Sequence, residues 1–180
     1  FYVPSLSHRT LVYKGLCRAE QLGRFYPDLT EPDFETAVAL FHQRYSTNTF
    51  PAWKLAHPYR LAAHNGEFNT LQGNKNWMRA RENALSEEER RDLTPIIDDT
   101  LSDSGAFDNV LEFFLRRGRS LIPCLLMMVP EIWENVPEED MPEGWHELYR
   151  YYSCLMEAWD GPAAVSFFDG RIGGPLVDRN

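Results

Sequence analysis

Apolar residues recur along this chain with two periods, one helical and one alternating. Phe107, Val110, Leu111 and Phe114 form the stripe of an amphipathic helix with Asp103 at its entrance, and residues 121–129 continue as a second apolar helix ending near Pro130. Residues 145–159 give a third, with Leu148, Tyr152, Leu155 and Met156 as its inward face. Residues 71–85 suit a helix carrying Trp77, Met78 and Leu85, although Gly73 and two asparagines make its start irregular. Ser86 and Glu89 then supply the capping box of a further short helix, and residues 16–25 allow one or two helical turns before Pro27.

Alternation predicts strands at residues 9–14 and 34–46, the latter through Phe34, Thr36, Val38, Leu40 and His42, with Arg44 near its end. The half-apolar run 59–63 reads as a buried strand that stops at His64-Asn65-Gly66, where a dipeptide favouring positive φ turns the backbone sharply. Residues 163–168 and 171–177 form a hairpin through Asp169-Gly170. Residues 48–58, with two prolines and Trp53, read as a loop, and residues 135–144 as an acidic, exposed one. No internal repeat or low-complexity segment is present.

At 180 residues, 43% hydrophobic and 13% aromatic, the chain has the size and composition of one globular domain with a sizeable core. Its 27 acidic against 18 basic residues give a formal charge of −9, which opposes binding to nucleic acid or an anionic membrane. The mild basic clusters at 75–81 and at Arg116, Arg117 and Arg119 are interrupted by acidic runs such as Glu87-Glu88-Glu89 and read as solvated helix faces. Cys17, Cys124 and Cys154 are odd in number and widely spaced, which fits a reducing compartment and no metal-ligand pattern; nothing near Cys17 would activate its thiolate. His42, His57 and His64 likewise lack compact ligand spacing. With no apolar run of about 18 residues and no basic-then-apolar start, the expectation is a soluble intracellular protein.

The chemistry centres on Asn65-Gly66. An Asn amide beside a glycine N–H offers two donors with no bulky Cβ in the way, the equipment for holding a developing oxyanion; the alternative is an ordinary hairpin turn. The run His64-Asn65-Gly66-Glu67-Phe68-Asn69-Thr70, followed by Gly73-Asn74-Lys75-Asn76-Trp77-Met78-Arg79-Ala80-Arg81-Glu82, resembles the amidotransferase domain of glutamate synthases. Val12-Tyr13-Lys14-Gly15 with Phe25-Tyr26-Pro27-Asp28-Leu29, His42-Gln43-Arg44-Tyr45-Ser46-Thr47-Asn48-Thr49-Phe50-Pro51, and Trp159-Asp160-Gly161-Pro162-Ala163-Ala164 with Asp178-Arg179-Asn180 agree with it in the family's order. Phe68, Lys75 and Ala158 depart from the family's usual residues, and none of them is itself a proposed site residue.

The resemblance implies an α+β fold, part of a four-layer αββα sandwich of the N-terminal nucleophile hydrolase type, with residues 1–180 as the C-terminal portion of a class II glutaminase domain incomplete at its N-terminus. It implies that the Asn65 side chain and Gly66 N–H form an oxyanion hole. Arg44, assisted by Thr47, pairs with the α-carboxylate of L-glutamine, and Asp103 accepts from its α-ammonium. Without the resemblance, Arg44 reads as a surface or ion-paired residue and Asp103 as a helix N-cap. The family's nucleophile is an N-terminal cysteine whose own amine is the base; Phe1 stands at the start here, so the nucleophile is expected upstream and this piece is expected to be inactive alone. The implied overall task is to free ammonia for reductive amination of 2-oxoglutarate. FMN and an iron–sulfur cluster belong to later domains, and the partners are those domains and a small subunit or ferredoxin, in the cytoplasm or a plastid. The rival reading is a non-catalytic glutamine-binding or interaction module that lacks the nucleophile.

Overall fold

The computed structural model describes residues 2–44 and 50–177. Its helices are α1 (Leu22–Phe25), α2 (Leu71–Glu82), α3 (Glu87–Leu93), α4 (Asp103–Arg116), α5 (Leu121–Met128) and α6 (Trp145–Leu155), and its strands are β1 (Ala62–Gly66), β2 (Ala163–Phe168) and β3 (Gly173–Val177). The strands form one antiparallel sheet in the order β1-β2-β3, an α+β arrangement. Ala62 pairs with Phe167, His64 with Val165 and Gly66 with Ala163. These residues share one face, and the buried Ala163, Val165 and Phe167 of β2 direct it to the core, while Ala164 and Ser166 on the other face are exposed.

Helices α4, α5 and α6 build that core in succession. α4 packs on β1 and α5, and α5 packs on α6. Phe107, Val110 and Leu111 of α4 are fully buried, as the stripe requires. Phe68, Phe107 and Trp159 meet where the helices reach the sheet: Phe68 stacks on Phe107 at 4.9 Å, and both rings meet the Trp159 edge at 5.4 and 5.6 Å.

Several boundaries differ from the sequence reading. β1 begins at Ala62, because Tyr59 N–H turns back to Ala62 C=O at 2.8 Å, and it runs through Asn65-Gly66. The Asn-Gly pair therefore ends a ladder with β2 and is not a two-residue hairpin turn. α6 stops at Leu155, where the backbone becomes extended and Trp159 N–H reaches Met128 C=O at 2.7 Å; its buried residues are Tyr149 and Tyr152, with Leu148 only partly covered. α2 ends at Glu82, and Trp77 is exposed while Met78 is buried. The alternating runs at 9–14 and 34–44 form no strand among the described residues, and residues 45 and 46 lie outside them. The Ser86–Glu89 capping box and the hairpin around Asp169-Gly170 form as the residues dictate.

Asp108 on α4 fixes the start of β1. Its Oδ2 accepts from Arg60 N–H at 3.1 Å, and its Oδ1 accepts from Leu61 and Ala62 N–H at 2.9 Å each. Burial raises this carboxyl to about 6, and the three N–H bonds oppose the rise only in part. Between pH 4 and 6 the folded chain holds a proton that the unfolded chain has released. The associated stability is thus present below about pH 4 and is lost as pH rises through about 6. In denaturant titrations, wild type should lose roughly 3 kcal/mol across this window relative to Asp108→Asn. A constant offset between the two proteins from pH 4 to 7 would contradict the burial argument.

Candidate active site

The end of β1 presents donors because of its place in the sheet. Glu67 N–H bonds to Pro162 C=O at 3.3 Å and Phe168 N–H to Leu61 C=O at 2.8 Å, so the Leu61 C=O and the backbone groups of residues 63, 65 and 67 are directed toward β2. The N–H groups of the intervening residues point to the other edge of β1, which has no partner strand among the described residues. Ala62 N–H is taken there by Asp108, whereas Gly66 N–H faces outward at the strand's end. Gly66 has φ of 108°, and a Cβ added to it would lie 1.8 Å from Pro162 O, so the conformation that exposes this N–H belongs to glycine.

The turn after Gly66 is held on both sides. Asn69 N–H donates to Asp160 C=O at 2.7 Å, and Asp160 N–H donates to Thr70 Oγ1 at 3.0 Å. Thr70 Oγ1 in turn donates to Asn74 Oδ1 at 2.7 Å, and buried Asn74 donates to Ala158 C=O at 2.9 Å. The asparagine that looked like a helix irregularity ties α2 to the approach of β2.

Asp103 is the first residue of α4, and Ser102, not Asp103, is the N-cap, its Oγ accepting from Gly105 N–H at 3.3 Å. Asp103 Oδ2 accepts from Phe68 N–H at 3.0 Å and Oδ1 from Ser104 N–H at 2.7 Å. One carboxylate thereby joins the helix entrance to the turn beyond Gly66 and keeps lone pairs for a further donor. The neighbouring His64 is 4% exposed; its Nδ1 lies 2.7 Å from Ser104 Oγ and 3.8 Å from Asp103 Oδ2, and its ring stacks on Phe68 at 4.5 Å. Burial lowers the His64 pKa, with Asp103 acting in the opposite direction.

Asn65 and Arg44 are brought together through a residue to which the sequence reading gave no role in the site. His42 Nε2 lies 2.7 Å from Asn65 Oδ1, and His42 Nδ1 accepts from Arg44 N–H at 3.0 Å. The His42 ring stacks on His57 at 4.3 Å, and His57 meets the Tyr59 edge at 4.8 Å. Burial pushes the His57 pKa down to about 3, so the inner ring of the stack is neutral at physiological pH. Arg44 is exposed, and Thr47 lies outside the described residues.

The three cysteines take no part in these contacts. Cys17 and Cys154 are exposed, and Cys124 is buried on α5, its thiol pushed up to about 11 by burial. Two cavities, of about 230 and 930 Å³, are lined by neither Asn65, Gly66, Arg44 nor Asp103. Among the described residues no His, Cys, Asp and Glu group could hold a metal ion, and no helix is long and apolar enough to cross a membrane.

The end of β1 thus carries the Asn65 side chain and the Gly66 N–H in adjacent positions, with His42 and the Arg44 backbone against Asn65 and the Asp103 carboxylate bonded to the turn beyond Gly66. The whole chain, residues 1–180, matches the family of class-II glutamine amidotransferases, and the protein belongs to that family. Among its curated relatives, it is 50% identical to the large chain of NADPH glutamate synthase from Bacillus subtilis and 48% identical to NADH glutamate synthase from Saccharomyces cerevisiae. It is 45% identical to ferredoxin-dependent glutamate synthase from Cyanidium caldarium. Each match covers 100% of this chain but only 12%, 8% and 12% of the respective relative.

Proposed function

We propose that this chain is the C-terminal portion of the glutaminase domain of a glutamate synthase, within a four-layer αββα sandwich of the N-terminal nucleophile hydrolase type. The observation that carries the reading is the pair of outward donors at the end of β1, the Asn65 carboxamide and the Gly66 N–H, on a chain matched along its whole length by the class-II amidotransferase family. In this reading the two donors hold the oxyanion formed when the glutamine side-chain amide is attacked. Arg44, with Thr47, grips the α-carboxylate through a charge-assisted fork, and Asp103 accepts from the α-ammonium. None of Cys17, Cys124 and Cys154 sits in the contacts around Asn65, so the nucleophile is a cysteine elsewhere in the parent chain.

The freed ammonia passes to a domain that reductively aminates 2-oxoglutarate. FMN and an iron–sulfur cluster act there, with electrons from a nicotinamide, by way of a small subunit, or from ferredoxin. Relatives named for NADH, NADPH and ferredoxin are all similar to this chain; its setting is the cytoplasm or a plastid, the latter in keeping with a rice relative named as chloroplastic.

The test is the glutamine KM of the full-length protein. Arg44→Ala should raise it about thirtyfold, the loss of one charge-assisted bond of about 2 kcal/mol, with kcat little changed, because the carboxylate carries the same charge before and during reaction. Asp103→Ala should raise KM similarly and should also lower the melting temperature, since it leaves Phe68 N–H without its acceptor. An unchanged KM in both variants would remove these residues from the site.

A further inference from the structure

An oxyanion hole needs a donor aimed at the substrate, and an Asn side chain has one donor end and one acceptor end of nearly equal shape. Something must therefore decide which end of Asn65 faces the substrate. Asn65 Oδ1 lies 2.7 Å from His42 Nε2, and Nδ2 has no hydrogen-bond partner among the described residues.

We infer that His42 is the positioning residue of the oxyanion hole: its Nε2–H holds Asn65 Oδ1 and so turns Nδ2 toward the substrate carbonyl. The inference rests on the oxyanion role of Asn65 given above. Asn65 Oδ1, an acceptor, faces Nε2 at 2.7 Å, which calls for a proton on Nε2; in the neutral ring Nδ1 then accepts from Arg44 N–H at 3.0 Å. The cationic ring would instead donate from Nδ1 to Arg44 C=O, 2.7 Å away, and would still carry the Nε2 proton. Either form thus keeps Asn65 Oδ1 as the acceptor. Only a neutral ring protonated at Nδ1 would reverse the carboxamide, and the placement of Asn65 Oδ1, not Nδ2, against Nε2 is the arrangement of the other two forms. Stacking on His57 at 4.3 Å fixes the plane of the ring. The same side chain also ties the oxyanion donor to the backbone of the arginine proposed to grip the substrate, 21 residues before Asn65 in the chain.

A double-mutant cycle in the full-length protein tests this, with glutamine-dependent and ammonia-dependent synthesis both measured. His42→Ala should lower the glutamine-dependent kcat about 10- to 100-fold, with KM within about threefold and ammonia-dependent synthesis retained. His42→Gln, whose amide can donate where Nε2–H does, should recover most of the loss. In an Asn65→Ala background, His42→Ala should cost nothing further, because the group it orients has gone. An undiminished His42→Ala effect in that background would overturn the inference, as would a loss confined to KM, no recovery by Gln, or an equal loss of ammonia-dependent synthesis. If Asn65→Ala alone leaves kcat unchanged, the oxyanion role fails first, a result distinct from additive losses at the two positions.

Discussion

Asn65→Ala is expected to lower the glutamine-dependent kcat of the full-length protein by about 10²–10³, with KM moving much less. The glutamine carbonyl oxygen carries little charge in the ground state and nearly a full negative charge in the tetrahedral intermediate. A donor aimed at it therefore stabilises the transition state more than the bound substrate, and its removal appears in kcat. The substitution leaves the backbone of β1 unchanged, since the ladder to β2 is made by main-chain groups. Synthesis from added ammonia bypasses amide cleavage and should survive. A variant that loses both activities equally, or that keeps full kcat, would return Asn65-Gly66 to a purely structural role.

The helices were legible because each carries its own evidence. The spacing of Phe107, Val110, Leu111 and Phe114 requires a buried stripe, and Ser86 with Glu89 satisfies a helix start from within four residues of chain. The hairpin of β2 and β3 was legible because its partners are close in sequence, and β1 was legible as a buried run but not in its bounds, since its partner lies about 100 positions away. The runs at 9–14 and 34–44 alternate as strands do, yet a strand is defined by the ladder it joins, and alternation names no partner. The site divides the same way. Asn65, Gly66 and Arg44 stand out as residue types in motifs. His42, Ser104 and Asp108 are ordinary residues whose roles arise from contacts 23, 40 and 46 positions away, with Asn65, His64 and Ala62. In the sequence His42 reads as a residue of an alternating run without metal-ligand spacing, because nothing there shows that it reaches Asn65. A His two residues before Arg44, with two further histidines at 57 and 64, is the local signal that could have suggested it.

Gly66→Ala should have the largest effect on folding of any single methyl added to this domain's glycines. Two costs combine at this position. The φ of 108° lies where an L side chain is strained by about 1–2 kcal/mol, and the new Cβ would stand 1.8 Å from Pro162 O and 3.2 Å from Ala163 Cα, which are backbone atoms of β2 and its approach. A flexible side chain could swing aside, but here the end of β1 must separate from β2, and the Glu67 N–H to Pro162 C=O bond goes with it. The expected destabilisation is more than about 4 kcal/mol, a large part of a typical domain's stability, so Gly66→Ala should be largely insoluble or unfolded at 25 °C. Gly73→Ala is the control. Gly73 lies in α2 with nothing within 4 Å of an added Cβ, and replacing a helical glycine by alanine should leave stability unchanged or raise it by up to about 1 kcal/mol. Thermal melts of the two variants beside wild type decide the matter. If Gly66→Ala melted within a few degrees of wild type, the close approach of β1 and β2 would be wrong. The glycine would then serve only to clear space for the oxyanion, and the loss would appear in kcat alone.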